Sequence, residues 1–207
     1  MEFRLHQWVA KQDLKQTIDH LVRKTQKWLE SLTDSDVIEL LMTGFIPDTY
    51  EYNREEEKAF TKLMEVLIAH ILSRIGFQST VVKTKNESED ARIATDNHVI
   101  LVDAKSFRLG RSQVAPNVKD FIKLHTVEGW IKNYSETHQT KPIGSLVVYP
   151  STHEWVKQSQ VYKECSNKRT PVVMLSYEIL AFLLQYKNSY KAENLLFLWD
   201  YKNRIHS

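Results

Sequence analysis

Phe60, Leu63, Met64, Leu67, Ile68, Ile71, Leu72 and Ile75 recur at helical spacing. A helix with so continuous an apolar stripe has to bury it against another layer of structure. Gly76 follows the stripe, in the place where a helix ends on a left-handed residue. Upstream, Asn53 with Glu56 three residues later has the spacing of a capping box, with Asn in place of Ser or Thr. Beyond Gly76 the period changes. Phe77 to Val82 reads as a strand, residues 83 to 89 as a polar loop, and Arg92 to Ala94 as a short strand. Asp96-Asn97 suits a hairpin turn, after which Val99-Ile100-Leu101-Val102 forms an apolar strand that runs into Asp103-Ala104-Lys105.

The flanks are helical. Residues about 8 to 45 carry Leu14, Ile18, Leu21 and Val22 at helical spacing, with a capping region at Thr33-Asp34-Ser35-Asp36 and a stop at Gly44. A helix is expected over about 117 to 136, a strand over Ser145 to Tyr149, and a helix over about 152 to 165. A core strand follows at Val172 to Leu175, then a helix capped by Ser176 and reaching about Lys187. Helices before and after a mixed set of strands predict an α/β chain built as a three-layer α/β/α sandwich. Five glycines and five prolines leave little room for long irregular stretches, and no linker clearly divides the 207 residues.

The net charge of +2 excludes a chain that coats nucleic acid by bulk charge, so any such binding needs cations gathered on one face. The lone Cys165 allows neither an intrachain disulfide nor a zinc cluster and suits a reducing cytoplasm. The first residues, Met-Glu-Phe-Arg-Leu-His-Gln-Trp, show no apolar signal core.

Asp103 and Lys105, two apart on a strand, share one face, while Ala104 points into the apolar layer. Asp90 lies across the expected hairpin, and antiparallel pairing brings it near Asp103. Two carboxylates, a main-chain carbonyl at Ala104 and a lysine are the parts that metal-assisted phosphodiester hydrolysis needs: oxygen ligands for a divalent cation and a group to orient water or stabilise charge. An acid two before a lysine occurs four times here, at Asp13, Glu56, Asp103 and Asp200. Only at Asp103 does it end an apolar run with another aspartate upstream. The competing reading is a solvated strand end with an ordinary ion pair.

The segment Asp103-Ala-Lys-Ser-Phe-Arg-Leu-Gly-Arg111, with Asn117-Val-Lys-Asp120-Phe after it, resembles the catalytic segment of the HindIII-type restriction endonucleases. Glu128-Gly-Trp130, Tyr149-Pro-Ser-Thr152 and Ser176 to Leu184 match in order, as do Val37 to Leu40 and Glu57 to Phe60 upstream, so the resemblance spans roughly 30 to 187. It implies the PD-(D/E)xK nuclease fold with a mixed central sheet, in one domain over 1–207. Residues 1–50 would be a helical N-terminal region, 53–187 the catalytic core and 188–207 a C-terminal segment. It implies Mg2+-dependent cleavage of double-stranded DNA at a short palindrome, AAGCTT if specificity carries over. The enzyme would be a homodimer, with a cognate methyltransferase in the host. It places metal ligands at Asp90 and Asp103, the catalytic lysine at Lys105, and Asp120 beside them. A further carboxylate would come from the helix carrying Glu57 and Glu65, either of which could instead be an exposed helix residue. Glu89 stands where a proline usually precedes the first acid. A structure-specific repair or mobile-element nuclease, and an inactive DNA-binding module, are the alternatives on the same core.

For DNA contacts, Arg108, Arg111, Asn117, Lys119 and Lys123 surround the catalytic strand. Asn117 is the expected base reader, with Lys119 and Lys123 nearer the phosphates. Each could equally be a solvated cation or a polar cap. His98 and His125 lack any His-Asn-His context, and Trp130, Trp155 and Trp199 read as core or interface aromatics.

Overall fold

The computed structural model describes residues 4–14, 16–52, 54–82, 89–108, 124–150 and 171–200. Three helices open the chain: α1 (Arg4–Ala10), α2 (Ile18–Glu30) and α3 (Asp34–Met42). Thr33 caps α3 in a full capping box with Asp36, as its Thr-Asp-Ser-Asp run predicts. The long helix α4 spans Glu55–Ile75 and ends on Gly76 at φ 116°, a left-handed C-cap. The N-cap is Arg54, which makes no side-chain capping bond; Asn53, on which the expected capping box rests, lies outside the described residues. Glu55, Glu56 and Glu57 in the first turn set negative charge against the helix N-terminus.

Strands β1 (Gln78–Val81), β2 (Ala91–Ala94), β3 (Val99–Ala104), β4 (Gly144–Tyr149) and β5 (Val172–Ser176) form one sheet in sequential order. The pairs β1·β2 and β2·β3 are antiparallel, whereas β3·β4 and β4·β5 are parallel. The β2–β3 turn closes with Thr95 N–H donating to the His98 carbonyl at 3.0 Å. Strand β3 runs two residues beyond the apolar stretch, because Asp103 and Ala104 pair with Val147 and Val148. Helix α5 (Leu124–His138) lies between β3 and β4 in sequence, and α6 (Tyr177–Gln185) follows β5, capped by Ser176. The helix expected over 152–165 lies outside the described residues, as does the start of the one expected from 117.

Alternation along β4 divides the core. Leu146 and Val148 join the large cluster formed with α1 to α4 and α6, while Val147 and Tyr149 join Val127 of α5 and Val172 on the other face. Helices thus cover both faces of a mixed sheet. Trp199, at the end of a 3₁₀ helix (Ala192–Trp199), is buried and donates its Nε1–H to the Ser145 carbonyl. Gly144 faces that indole and the Pro171 carbonyl so closely that a Cβ would sit 2.2 Å from the carbonyl oxygen. Trp130 packs against the smaller cluster.

Arg74 ties α4 to the first helices. It pairs with Asp34 at 2.8 Å, donates to the carbonyls of Leu29 and Leu32, and donates Nε–H to His70 Nε2. Burial first, and the Arg74 cation second, hold the half-buried His70 down at about 4, against a smaller opposing pull from Asp34. The unfolded chain therefore takes up a proton near pH 6.5 that the folded chain refuses until about pH 4. Stability from this site is complete above pH 6.5 and declines as pH falls towards 4. Melting temperatures measured across that window should fall more steeply for the wild type than for His70→Gln; parallel curves would remove the assignment.

Candidate active site

Strand alternation decides which side chains meet. Ala104 turns into the apolar cluster under α4, so Asp103 and Lys105 leave on the other face of β3. Their charged groups pair, with Lys105 Nζ 2.8 Å from Asp103 Oδ2. Lys105 stands one residue past the strand, but its N–H still donates to the Val148 carbonyl at 2.8 Å. Asp90 stands one residue before β2. Its N–H donates to the Val102 carbonyl at 3.0 Å, and its Oδ2 accepts the Ala104 N–H at 2.8 Å. The hairpin thus holds the Asp90 carboxylate against the main chain between Asp103 and Lys105.

The long helix supplies a third carboxylate. Glu65 is 7% exposed, pairs with Lys62 one turn earlier and feels the charge of Asp103. Burial is the main cause that raises its carboxyl, with Lys62 opposing. Asp90 is raised well above its ordinary value by burial first, then by Glu65 and Asp103, with the Ala104 N–H and Lys105 pulling the other way. Glu65, Asp90 and Asp103 are therefore one electrostatic unit.

Glu57 has different company. Its Oε1 accepts from Arg108 Nη2 at 2.9 Å, and Arg108 Nη1 donates to the Pro47 carbonyl at 3.0 Å. Both side chains are 13% exposed. Ile46 N–H donates to the Phe107 carbonyl beside them. Arg108, expected at the DNA surface, is engaged with protein groups here and fastens the approach to α4 onto the chain leaving β3. Of the two helix carboxylates, Glu65 is the one brought to Asp90 and Asp103.

A cleft of about 610 Å³ opens beside this unit, lined by Glu57, Lys62 and Glu65 of α4, by Asp90, and by Asp13 and Leu14 from the N-terminal region. Asp103 and Lys105 do not line it. The hydrogen-bonding and charge contacts, rather than the cleft, define this candidate site. Among the described residues no group of three His, Cys, Asp or Glu side chains is arranged to cage a metal. Two carboxylates with a main-chain carbonyl nearby suit a hard cation that keeps most of its waters, and an excess of buried carboxylate over lysine is charge such a cation would relieve. His98 and His125 are exposed. Asp120, Arg111, Asn117, Lys119, Lys123, Trp155 and Cys165 lie outside the described residues. The motif reading did not pick out Tyr177, which is buried and whose hydroxyl donates to the Lys105 carbonyl at 2.8 Å. Its trace in the sequence is an aromatic residue directly after the Ser176 cap, within the matching segment Ser176 to Leu184.

A mixed sheet covered by helices on both faces is a fold shared with solved restriction endonucleases. The solved structure of restriction endonuclease FokI is similar with a TM-score of 0.54 and 12% identity, covering 87% of this chain and 33% of that one. The chain thus spans about a third of FokI. The small subunit of the heterodimeric restriction endonuclease R.BspD6I matches with a TM-score of 0.49 and 13% identity, covering 82% of this chain and 93% of that one. No curated protein matches by sequence. The chain matches the HindIII restriction endonuclease family over residues 9–206 and belongs to it. That match extends past both ends of the motif resemblance at 30 to 187.

Proposed function

We propose that this chain is a type II restriction endonuclease that cuts both strands of DNA at a short palindrome in the presence of Mg2+. The observation that carries the reading is the Asp103–Lys105 pair at 2.8 Å, with the Asp90 carboxylate held on the intervening Ala104 N–H at 2.8 Å. Asp90, Asp103 and the Ala104 carbonyl would hold the metal. When bound, it lowers the pKa of water and neutralises charge on the phosphate oxygens. Lys105 orients the attacking water and faces the scissile phosphate, and Asp120 adds a neighbouring carboxylate. Hydrolysis leaves a 5′-phosphate and a 3′-hydroxyl.

One reactive set per chain and a palindromic target call for a homodimer, each subunit cutting one strand. Asn117 reads a base, while Arg111, Lys119 and Lys123 serve the duplex around it. A contact from Arg108 requires its release from Glu57. A host that keeps such an enzyme in its cytoplasm needs a methyltransferase to protect the same site. Among the described residues no helix is long and apolar enough to cross a membrane.

The test is digestion of a sequenced plasmid containing AAGCTT, with Mg2+. Discrete fragments ending at AAGCTT are expected. Discrete fragments ending elsewhere would keep the chemistry and discard that target. Cutting only at branches or nicks would replace the reading with a structure-specific nuclease, and binding without cutting, in Mn2+ as well, with a DNA-binding module.

A further inference from the structure

Resting on the nuclease reading, we propose that Tyr177 is a positioning residue for Lys105, fixing the main chain from which its ammonium group is aimed. Lys105 lies just past the last paired residue of β3, where a strand end would ordinarily fray. Here both of its main-chain groups are held by separate elements: the N–H by the Val148 carbonyl of β4, and the C=O by the Tyr177 hydroxyl at 2.8 Å. With those two bonds made, the side chain has a fixed origin from which to reach Asp103 Oδ2.

The sequence builds this support from a distance of 72 residues. Ser176 is the last residue of β5, paired with Tyr149, and its Oγ accepts the Ile179 N–H as the cap of α6. Strand therefore becomes helix within one residue, and Tyr177 is locked to both. Its ring is 1% exposed in the large core cluster. A phenylalanine would fill that space without the cost of burying a hydroxyl. The hydroxyl has its use at the Lys105 carbonyl. The molecule also carries its own control: Tyr190 donates its hydroxyl to the Leu183 carbonyl, near the opposite end of α6 from Tyr177.

The experiment compares wild type, Tyr177→Phe and Tyr190→Phe in single-turnover cleavage of the plasmid the wild type cuts, with enzyme in excess and Mg2+ present. Duplex affinity is measured in Ca2+, and the Lys105 ammonium resonance in the metal-free protein, assigned by its loss in Lys105→Arg. For Tyr177→Phe we expect a rate constant at least about tenfold lower at full reaction amplitude, affinity within about twofold, and a displaced Lys105 resonance. Tyr190→Phe should match the wild type in all three. A melting temperature within about 4 °C of the wild type shows that the fold is kept. An unchanged rate constant in Tyr177→Phe, or a loss of amplitude alone, overturns the proposal, because a merely structural tyrosine would lower the active fraction and leave the rate constant of the folded molecules intact. A wild type that cuts no DNA would sink the nuclease reading instead. The Lys105 resonance would then decide the positioning role, displaced only in Tyr177→Phe or undisplaced.

Discussion

Lys105→Ala is expected to lower the cleavage rate constant by at least about a thousandfold while changing duplex affinity in Ca2+ by less than about tenfold. The side chain is 28% exposed and pairs with Asp103 at the strand end, so truncation is expected to leave the sheet intact. What it removes is the cation paired with Asp103, the group that in the proposed function faces the scissile phosphate and orders the attacking water. The main-chain bonds to Val148 and Tyr177 survive the substitution. Lys105→Arg separates two roles. A guanidinium keeps the charge but cannot give up a proton in any accessible range. Partial activity in Lys105→Arg would mark Lys105 as a fixed cation, and none would mark it as a group that must orient or exchange a proton. Cleavage by Lys105→Ala within about tenfold of the wild type would remove the lysine from the chemistry.

The parts of this molecule legible in its sequence are those set by local periodicity. The stripe from Phe60 to Ile75 is α4, and the run from Val99 into Asp103 is β3, because an apolar face has only a few ways to be buried. The pairing of Asp103 with Lys105 follows from the two-residue period of a strand. What the sequence leaves open depends on contacts between distant segments. Glu57 and Glu65 stand two helical turns apart on α4, and their identity as acids cannot say which faces Asp90. Packing decides it, by giving Glu57 to Arg108 and Glu65 to the reactive unit. The start of α4 after Arg54 is marked in the sequence by three successive glutamates, whose charge faces the helix terminus. Tyr177 escaped because a hydrogen bond to a main-chain carbonyl leaves no pattern in the side chains around it.

Asp90→Asn should move activity and stability in opposite directions. Asparagine retains an oxygen to accept the Ala104 N–H, so the hairpin contact is preserved. It removes one anionic oxygen ligand, and the cleavage rate constant should fall by about a thousandfold or more. In the metal-free protein the same change relieves crowding among Asp90, Glu65 and Asp103. The Asp90 carboxyl is raised well above its ordinary 3.8 by burial and then by those two neighbours. A raised carboxyl contributes stability that is whole below its unfolded value and is lost as pH climbs through the folded one. At neutral pH the wild type therefore carries a penalty that asparagine lacks. Relief of about 1 kcal/mol would raise the melting temperature of Asp90→Asn by roughly 2–4 °C at pH 8 without metal. The gap should close below about pH 4, where the wild-type carboxyl is protonated in both states. Added Mg2+ should raise the wild-type melting temperature and narrow the gap from the other side, since a bound cation offsets the same repulsion. A metal-free wild type at least as stable as Asp90→Asn at pH 8 would refute the crowding, and full cleavage by the variant would refute the ligand. Both results as expected would mean that the folded chain keeps Asp90 beside Glu65 and Asp103 at a cost in stability, a cost that a cation held by Asp90 and Asp103 offsets.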